Sequence, residues 1–408
     1  MYQVIEGGVA AASGFRVGHT AAGIKYRERE DMALLVSESS CAAAGVFTRN
    51  VVKAAPVLWD RRIVREKGTA RAIVVNAGIA NACTGQRGLG VCGKTADCAA
   101  RALGLAPEEV LLASTGVIGM DLPLDRICAG IGAMASDLQS GPVAGHRAAR
   151  AIMTTDTSPK EAAVTLTLDG KRVTIGGMAK GSGMIHPDMC TMLCFITSDC
   201  AIEQSLLQQA LATVVPDTFN MISVDGDTST NDTCLLLANG QADNRRIDKK
   251  NEDYEAFVKA LSAVCGSLAR QMAADGEGAS CLFEVKVRNA RSDAEARILA
   301  KSVVTSSLTK AAIYGHDANW GRILCALGYS GVDFDPDRVD LYFSSEKGKI
   351  QLVKDGFALD YSEAKATEIL TAPKVTAICD MKQGDHEATA WGCDLTHDYV
   401  TINADYRS

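Results

Sequence analysis

The stretch AKGSGMIHPDMCTMLCFITSD, residues 179–199, sets Thr191 inside a cysteine- and methionine-rich apolar run straight after a glycine-rich loop. A threonine hydroxyl becomes an effective nucleophile when the residue is itself an N-terminus and its own α-amine serves as the base. Thr191 is internal, so that chemistry requires the Cys190–Thr191 peptide bond to be cut. Attack of the Thr191 hydroxyl on the Cys190 carbonyl, followed by hydrolysis of the ester, would cut it. The freed amine has an ordinary pKa of about 7.7–8, close to working pH as a general base needs. A threonine that merely opens a buried strand is the commoner arrangement, and the residues alone leave both readings standing.

Other chemistry fits the sequence badly. Lys180 lies among Gly176, Gly177, Gly181 and Gly183, but it precedes the Gly-Ser-Gly. A phosphate-cradling G-x-x-x-x-G-K-[ST] loop needs the opposite order, and G-x-G-x-x-G fails at His186. The acidic loop Asp225-Gly226-Asp227-Thr228 lacks the spacing and closing glutamate of a calcium loop. His186 is a lone loop histidine and is given no catalytic role. Fourteen cysteines include no C-x-x-C pair, and Cys92/Cys98 and Cys190/Cys194/Cys200 have no matching histidines. Most are expected to be reduced core residues, since free cysteine packs like a small hydrophobe, and no metal is expected.

A net charge of −7 without a basic patch points to small-molecule partners and away from nucleic acid. No apolar run is long enough to span a membrane. The first residues, MYQVIEGGVAAASGFRVGHT, lack a basic n-region and an apolar h-region, so a cytoplasmic address is expected.

The elements that must position these residues follow from periodicity. Ala72 to Gly78 is a short apolar run that stops at glycine, as a buried strand does. AVTLTLDGKRVTIGG (163–177) and IQLVKDGFAL alternate around Asp169-Gly170 and Asp355-Gly356, the strongest short hairpin signal. Tyr254, Phe257, Val258, Leu261, Val264, Cys265, Leu268 and Met272 share one helical face, in a helix ending near Gly276. A second helix is predicted from an N-cap at Ser292 to about Ile313, and a shorter one over 92–105. Alternating strands and helices with hairpins give an α/β (α+β mixed) layered sandwich of mixed β-sheets flanked by helices.

Several long motifs in order resemble the ornithine acetyltransferase (glutamate N-acetyltransferase) family. They are VFTRNVVKAAPV, NAGIANACTG, ASTGVIG, IMTTDT, the opening stretch, SVDGDTSTND, DGEGAS, NWGRILCALGYSG and the terminal TINADYRS. The resemblance implies an N-terminal-nucleophile-like precursor that cuts itself into an α chain, 1–190, and a β chain, 191–408. It also implies transfer of an acetyl group from N2-acetylornithine to glutamate through an ester on Thr191. The family usually has alanine before the cleavage site, where this chain has Cys190, but the carbonyl under attack is unchanged. By the resemblance Thr115 and Gly116 form an oxyanion hole, a device in which one donor is worth about 3 kcal/mol in the transition state. Thr154 (favoured over Thr155), Lys180, Thr191, Glu277, Asn403 and Ser408 contact substrate. The lysine would meet a carboxylate and the glutamate an ammonium. No cofactor is implied beyond acetyl-CoA as a second acetyl donor, and two α and two β chains form a heterotetramer. A self-processed amidohydrolase or aminopeptidase shares the nucleophile, and a cysteine-rich metal-binding or redox protein is the remaining alternative.

Overall fold

A computed structural model describes residues 1–186 and 192–405. In chain order the strands are β1 (Tyr2–Ile5), β2 (Phe15–Thr20), β3 (Met32–Phe47), β4 (Thr69–Ile79), β5 (Val110–Val117), β6 (Lys160–Leu168), β7 (Lys171–Lys180), β8 (Leu193–Ser198), β9 (Ile222–Ser223), β10 (Thr233–Ala238), β11 (Leu282–Ala290), β12 (Asp340–Ser345), β13 (Gly348–Lys354), β14 (Phe357–Ala358), β15 (Lys374–Asp380) and β16 (His386–Cys393). Among the described residues they form two mixed sheets. One is nine-stranded, in the order β1-β6-β7-β8-β10-β3-β4-β5 with β2 beside β3. The other is seven-stranded, in the order β14-β13-β12-β15-β11-β16-β9. Parallel pairs such as β4/β5, β8/β10 and β11/β15 sit beside antiparallel neighbours, the mixed α/β layering expected from the sequence.

Local chemistry accounts for the framework. Both predicted hairpins form, and Asp169 and Gly170, like Asp355 and Gly356, all have positive φ, as a type I′ turn demands. The helix Glu252–Ala274 starts where Asn251 accepts a hydrogen bond from the Tyr254 N–H at 3.0 Å, with Glu252, Asp253 and Glu255 facing the positive end of its dipole. Its apolar face is buried, with Val258 alone half-buried. One continuous core joins Ile175 and Cys194 of the first sheet, Leu261, Val264 and Leu268 of this helix, and Val285 and Ala390 of the second sheet. The helix is therefore the layer between the sheets.

Three expectations change. The helix predicted over 92–105 begins at Gly85 and runs to Leu103; Gly85, Gly88, Gly90 and Gly93 are poor helix formers and hide its start. The helix predicted over 292–313 starts as expected, with Ser292 capping Glu295, but splits into Asp293–Thr305 and Ser307–Tyr314. Ser306 adopts extended backbone between them and caps the second helix through the Thr309 N–H. Cys98 and Cys128 form a disulfide linking the helices Gly85–Leu103 and Leu124–Ser136. Of the other described cysteines, all but Cys83 and Cys325 are buried, as their apolar neighbours suggest. Among the described residues no helix is long and apolar enough to cross a membrane.

The 190/191 boundary does not separate two folding units. β8 and β10, both beyond residue 191, lie between β7 and β3 in the middle of the first sheet.

Candidate active site

β7 delivers Lys180 from its last position, and burial of the preceding strand leaves the residue only 7% exposed. Its Nζ donates to Thr154 Oγ1 at 2.9 Å and Thr115 Oγ1 at 3.4 Å, and stands 3.8 Å from Asp156 Oδ2. Burial pulls the Lys180 pKa down, while Asp156 opposes that pull.

Asp156 organises this corner. Its Oδ1 accepts from Lys160 Nζ at 2.5 Å and from the Gly181 N–H at 2.7 Å, and its Oδ2 accepts from the Thr154 N–H at 3.0 Å. Burial alone would raise its pKa, but Lys180 and Lys160 outweigh it and hold the carboxyl well below the usual range. Lys160 is fully buried and also pairs with Asp275, which accepts from the Thr157 N–H at 3.0 Å. The IMTTDT segment, the start of the glycine loop and the end of the helix Glu252–Ala274 are thus tied through one buried carboxylate, one partly buried carboxylate and one buried ammonium. A charge this deep persists only when paired and hydrogen-bonded.

Glu277 follows that helix end by three residues. Its N–H donates to Ser182 O at 2.9 Å, and its Oε2 accepts from Asn403 Nδ2 at 2.8 Å. Gly183 is the residue that lets this carboxylate lie against the loop: a Cβ there would stand 2.2 Å from Glu277 Oε2. The Thr155 hydroxyl lies 2.7 Å from Ser182 Oγ, and Thr155 lines the same cavity as Thr154. Asp225 holds the following turn by accepting from the Met184 and Ile185 N–H groups at 2.6 and 2.9 Å, and His186 Nδ1 lies 3.1 Å from Ser223 Oγ.

Thr115 and Gly116 lie in β5, where the register with β4 slips. Gly116 has φ +127°, and a Cβ there would stand 2.2 Å from the Gly78 carbonyl carbon, so only glycine allows the two backbones to meet. Asn231 fastens the same strands by donating to Ala80 O at 2.6 Å and Ser114 O at 2.8 Å.

Thr115, Gly116, Thr154, Lys180, Glu277 and Asn403 all line one cavity of about 270 Å³. Met192, the residue after Thr191 in the chain, lines it too. Cys190, Thr191 and Ser408 lie outside the described residues. A larger groove of about 860 Å³, bordered by Tyr2, Val143, Arg270 and Trp391, holds none of these side chains. Volume alone does not make a catalytic site, and the smaller cavity is the one where an ammonium, a carboxylate and hydroxyl donors converge. Such a cavity suits a small zwitterion. Sequence reasoning assigned no role to Asp156, Lys160, Asn231, Asp232 or Asp275, although all but Lys160 sit inside motifs quoted above. Buried polar residues beside a glycine loop were the available signal.

The ArgJ family matches residues 16–408. The arginine biosynthesis bifunctional protein of Symbiobacterium thermophilum is 51% identical over 406 residues, covering 99% of each chain. A solved arginine biosynthesis bifunctional protein from Bacillus halodurans is 45% identical, with a TM-score of 0.50, and covers 52% of this chain and 98% of its own. A solved ornithine acetyltransferase from Mycobacterium tuberculosis, complexed with ornithine, is 42% identical, with a TM-score of 0.44, covering 47% of this chain and 100% of its own. With the match running almost end to end and the cavity assembled from segments spread over the whole sequence, the chain belongs to the ArgJ family and is an acyltransferase of arginine biosynthesis.

Proposed function

We propose that the enzyme transfers an acetyl group from N2-acetylornithine to glutamate, releasing ornithine and N-acetylglutamate, through an acetyl ester on Thr191 formed after self-cleavage between Cys190 and Thr191. The products of cleavage are an α chain, 1–190, and a β chain, 191–408, assembled as two of each. The observation that supports this reading best is the convergence in one cavity of Lys180, Glu277, Thr115 and Gly116 with Met192, the neighbour of Thr191 in the sequence. The half-length chain of the Bacillus halodurans structure, matched by 52% of this one, is what a cleaved family member would yield.

In this reading the Thr191 α-amine takes the hydroxyl proton as the oxygen attacks the acetyl carbonyl, and returns it to the departing ornithine nitrogen. Thr115 and the Gly116 N–H stabilise the oxyanion. Lys180 pairs with the substrate carboxylate, Glu277 and Asn403 hold the ammonium end, and Thr154 and Ser408 complete the contacts. Glutamate then occupies the same site and takes the acetyl group by the reverse sequence. No cofactor is required. Acetyl-CoA serves as a second donor, in keeping with the word bifunctional in the names of its relatives.

Steady-state kinetics test the proposal. Double-reciprocal plots against N-acetylornithine at several glutamate concentrations are expected to be parallel, with N-acetylglutamate as product. Intersecting lines would indicate direct transfer in a ternary complex, and acetate in place of N-acetylglutamate would make the enzyme a hydrolase.

A further inference from the structure

The uncut chain poses a chemical problem that the mature enzyme does not. Before cleavage the nitrogen of residue 191 is an amide, so it cannot act as the base for its own hydroxyl. The hydroxyl must still lose a proton, and the departing nitrogen must gain one.

The described lining of the cavity holds three ionisable side chains, Lys180, Glu277 and Asp232. Lys180 is committed to Thr154 and Thr115, and Glu277 accepts from Asn403. Asp232 is different. It is 2% exposed, yet its Oδ2 has no hydrogen-bond partner among the described residues. Hydrogen bonds from Ser229, Thr48 and the Met192 backbone hold the carboxyl in place, and this one buried oxygen is left over. Backbone bonds fix its position beside Met192: the Thr48 N–H donates to the Asp232 carbonyl at 3.0 Å, and the N–H of the next residue, Thr233, donates to Met192 O at 2.9 Å. Burial pushes the Asp232 carboxyl well above its ordinary range, with the Ser229 and Thr48 hydrogen bonds and the Lys180 charge opposing, so it favours the proton-bearing form.

Resting on the self-cleavage reading above, we propose that Asp232 is the proton-transfer residue of the backbone cleavage before Thr191. As the Thr191 oxygen bonds to the Cys190 carbonyl carbon and the C–N bond breaks, the carboxyl gives its proton to the departing nitrogen. It receives the proton of the hydroxyl in return. The products are an ester and a free amine with Asp232 unchanged, and water then hydrolyses the ester to leave the Cys190 carboxylate.

The full-length chain made by cell-free synthesis, sampled over time by denaturing mass spectrometry, tests this directly. D232N is expected to split on the order of a hundredfold more slowly than the parent, the scale of general acid–base catalysis, while keeping a cooperative melt. D232A is expected to be slow as well and to be accelerated at least about tenfold by formate, but not by chloride at equal ionic strength, because formate restores a carboxyl. Splitting of D232N within about threefold of the parent would overturn the proposal, as would a slow D232A that formate leaves unmoved. Should both variants lose their cooperative melt, D232E decides: a slowing of about tenfold or more supports a positioned proton carrier, and an unchanged rate overturns it. A parent chain that never splits would instead refute the self-cleavage reading itself.

Discussion

At the scale of single residues, the site depends on charges that water does not reach. Lys160 joins Asp156 and Asp275 with its side chain fully buried, so Lys160→Met leaves two carboxylates without their shared cation. Breaking a buried pair in this way costs about 3–5 kcal/mol, and urea unfolding should register it. The same network sets an acid limit. Unfolded, Asp156 titrates near 3.9, whereas in the fold Lys180 and Lys160 hold it lower despite burial. Its contribution to stability is therefore present above about pH 4 and is lost as pH falls from there toward the folded value. Unfolding free energies should drop below about pH 4 in the parent, and more shallowly in Lys160→Met. Gly183→Ala acts through geometry alone, because its Cβ would push into the Glu277 carboxylate. Displacement of a positioning group by about 1 Å costs on the order of a hundredfold, so kcat/KM should fall that far with little change in melting temperature.

At the scale of elements, legibility followed the range of the forces involved. The two Asp-Gly hairpins, the buried strand through Ala72–Gly78 and the long amphipathic helix were plain in the sequence because turn chemistry and periodicity act within a few residues. The break at Ser306 was not, because Leu299, Val303 and Ile313 continue an apolar pattern across it. A serine cap is recognisable only once the chain has already turned. Ser306→Ala should cost about 1 kcal/mol in chemical denaturation, the usual penalty for a lost N-cap. The site was legible in part. Thr115, Thr154, Lys180, Glu277 and Asn403 were named from ordered motifs, and they do converge. The Asp156–Lys160–Asp275 network joins positions 115 residues apart, and no local pattern announces such a pairing.

At the scale of the whole molecule, the 190/191 boundary runs through the middle of a sheet. β8 and β10 from the later segment are hydrogen-bonded between β7 and β3 of the earlier one, so the proposed cleavage would leave two interlocked polypeptides. The two fragments should elute together from a sizing column in native buffer and part only in denaturant; separation under native conditions would contradict this interlocking. Such a design would let the 190–191 bond be cut without loss of the cavity walls that Lys180, Glu277 and Thr115 form. The central claim is that Thr191 carries the acetyl group between two amino acids. The most direct measurement is the denaturing intact mass of the enzyme mixed with N-acetylornithine alone. One added acetyl on the 191–408 fragment, mapped to Thr191 and discharged by glutamate, is the predicted result, and an unmodified fragment from an enzyme that still turns over would contradict it.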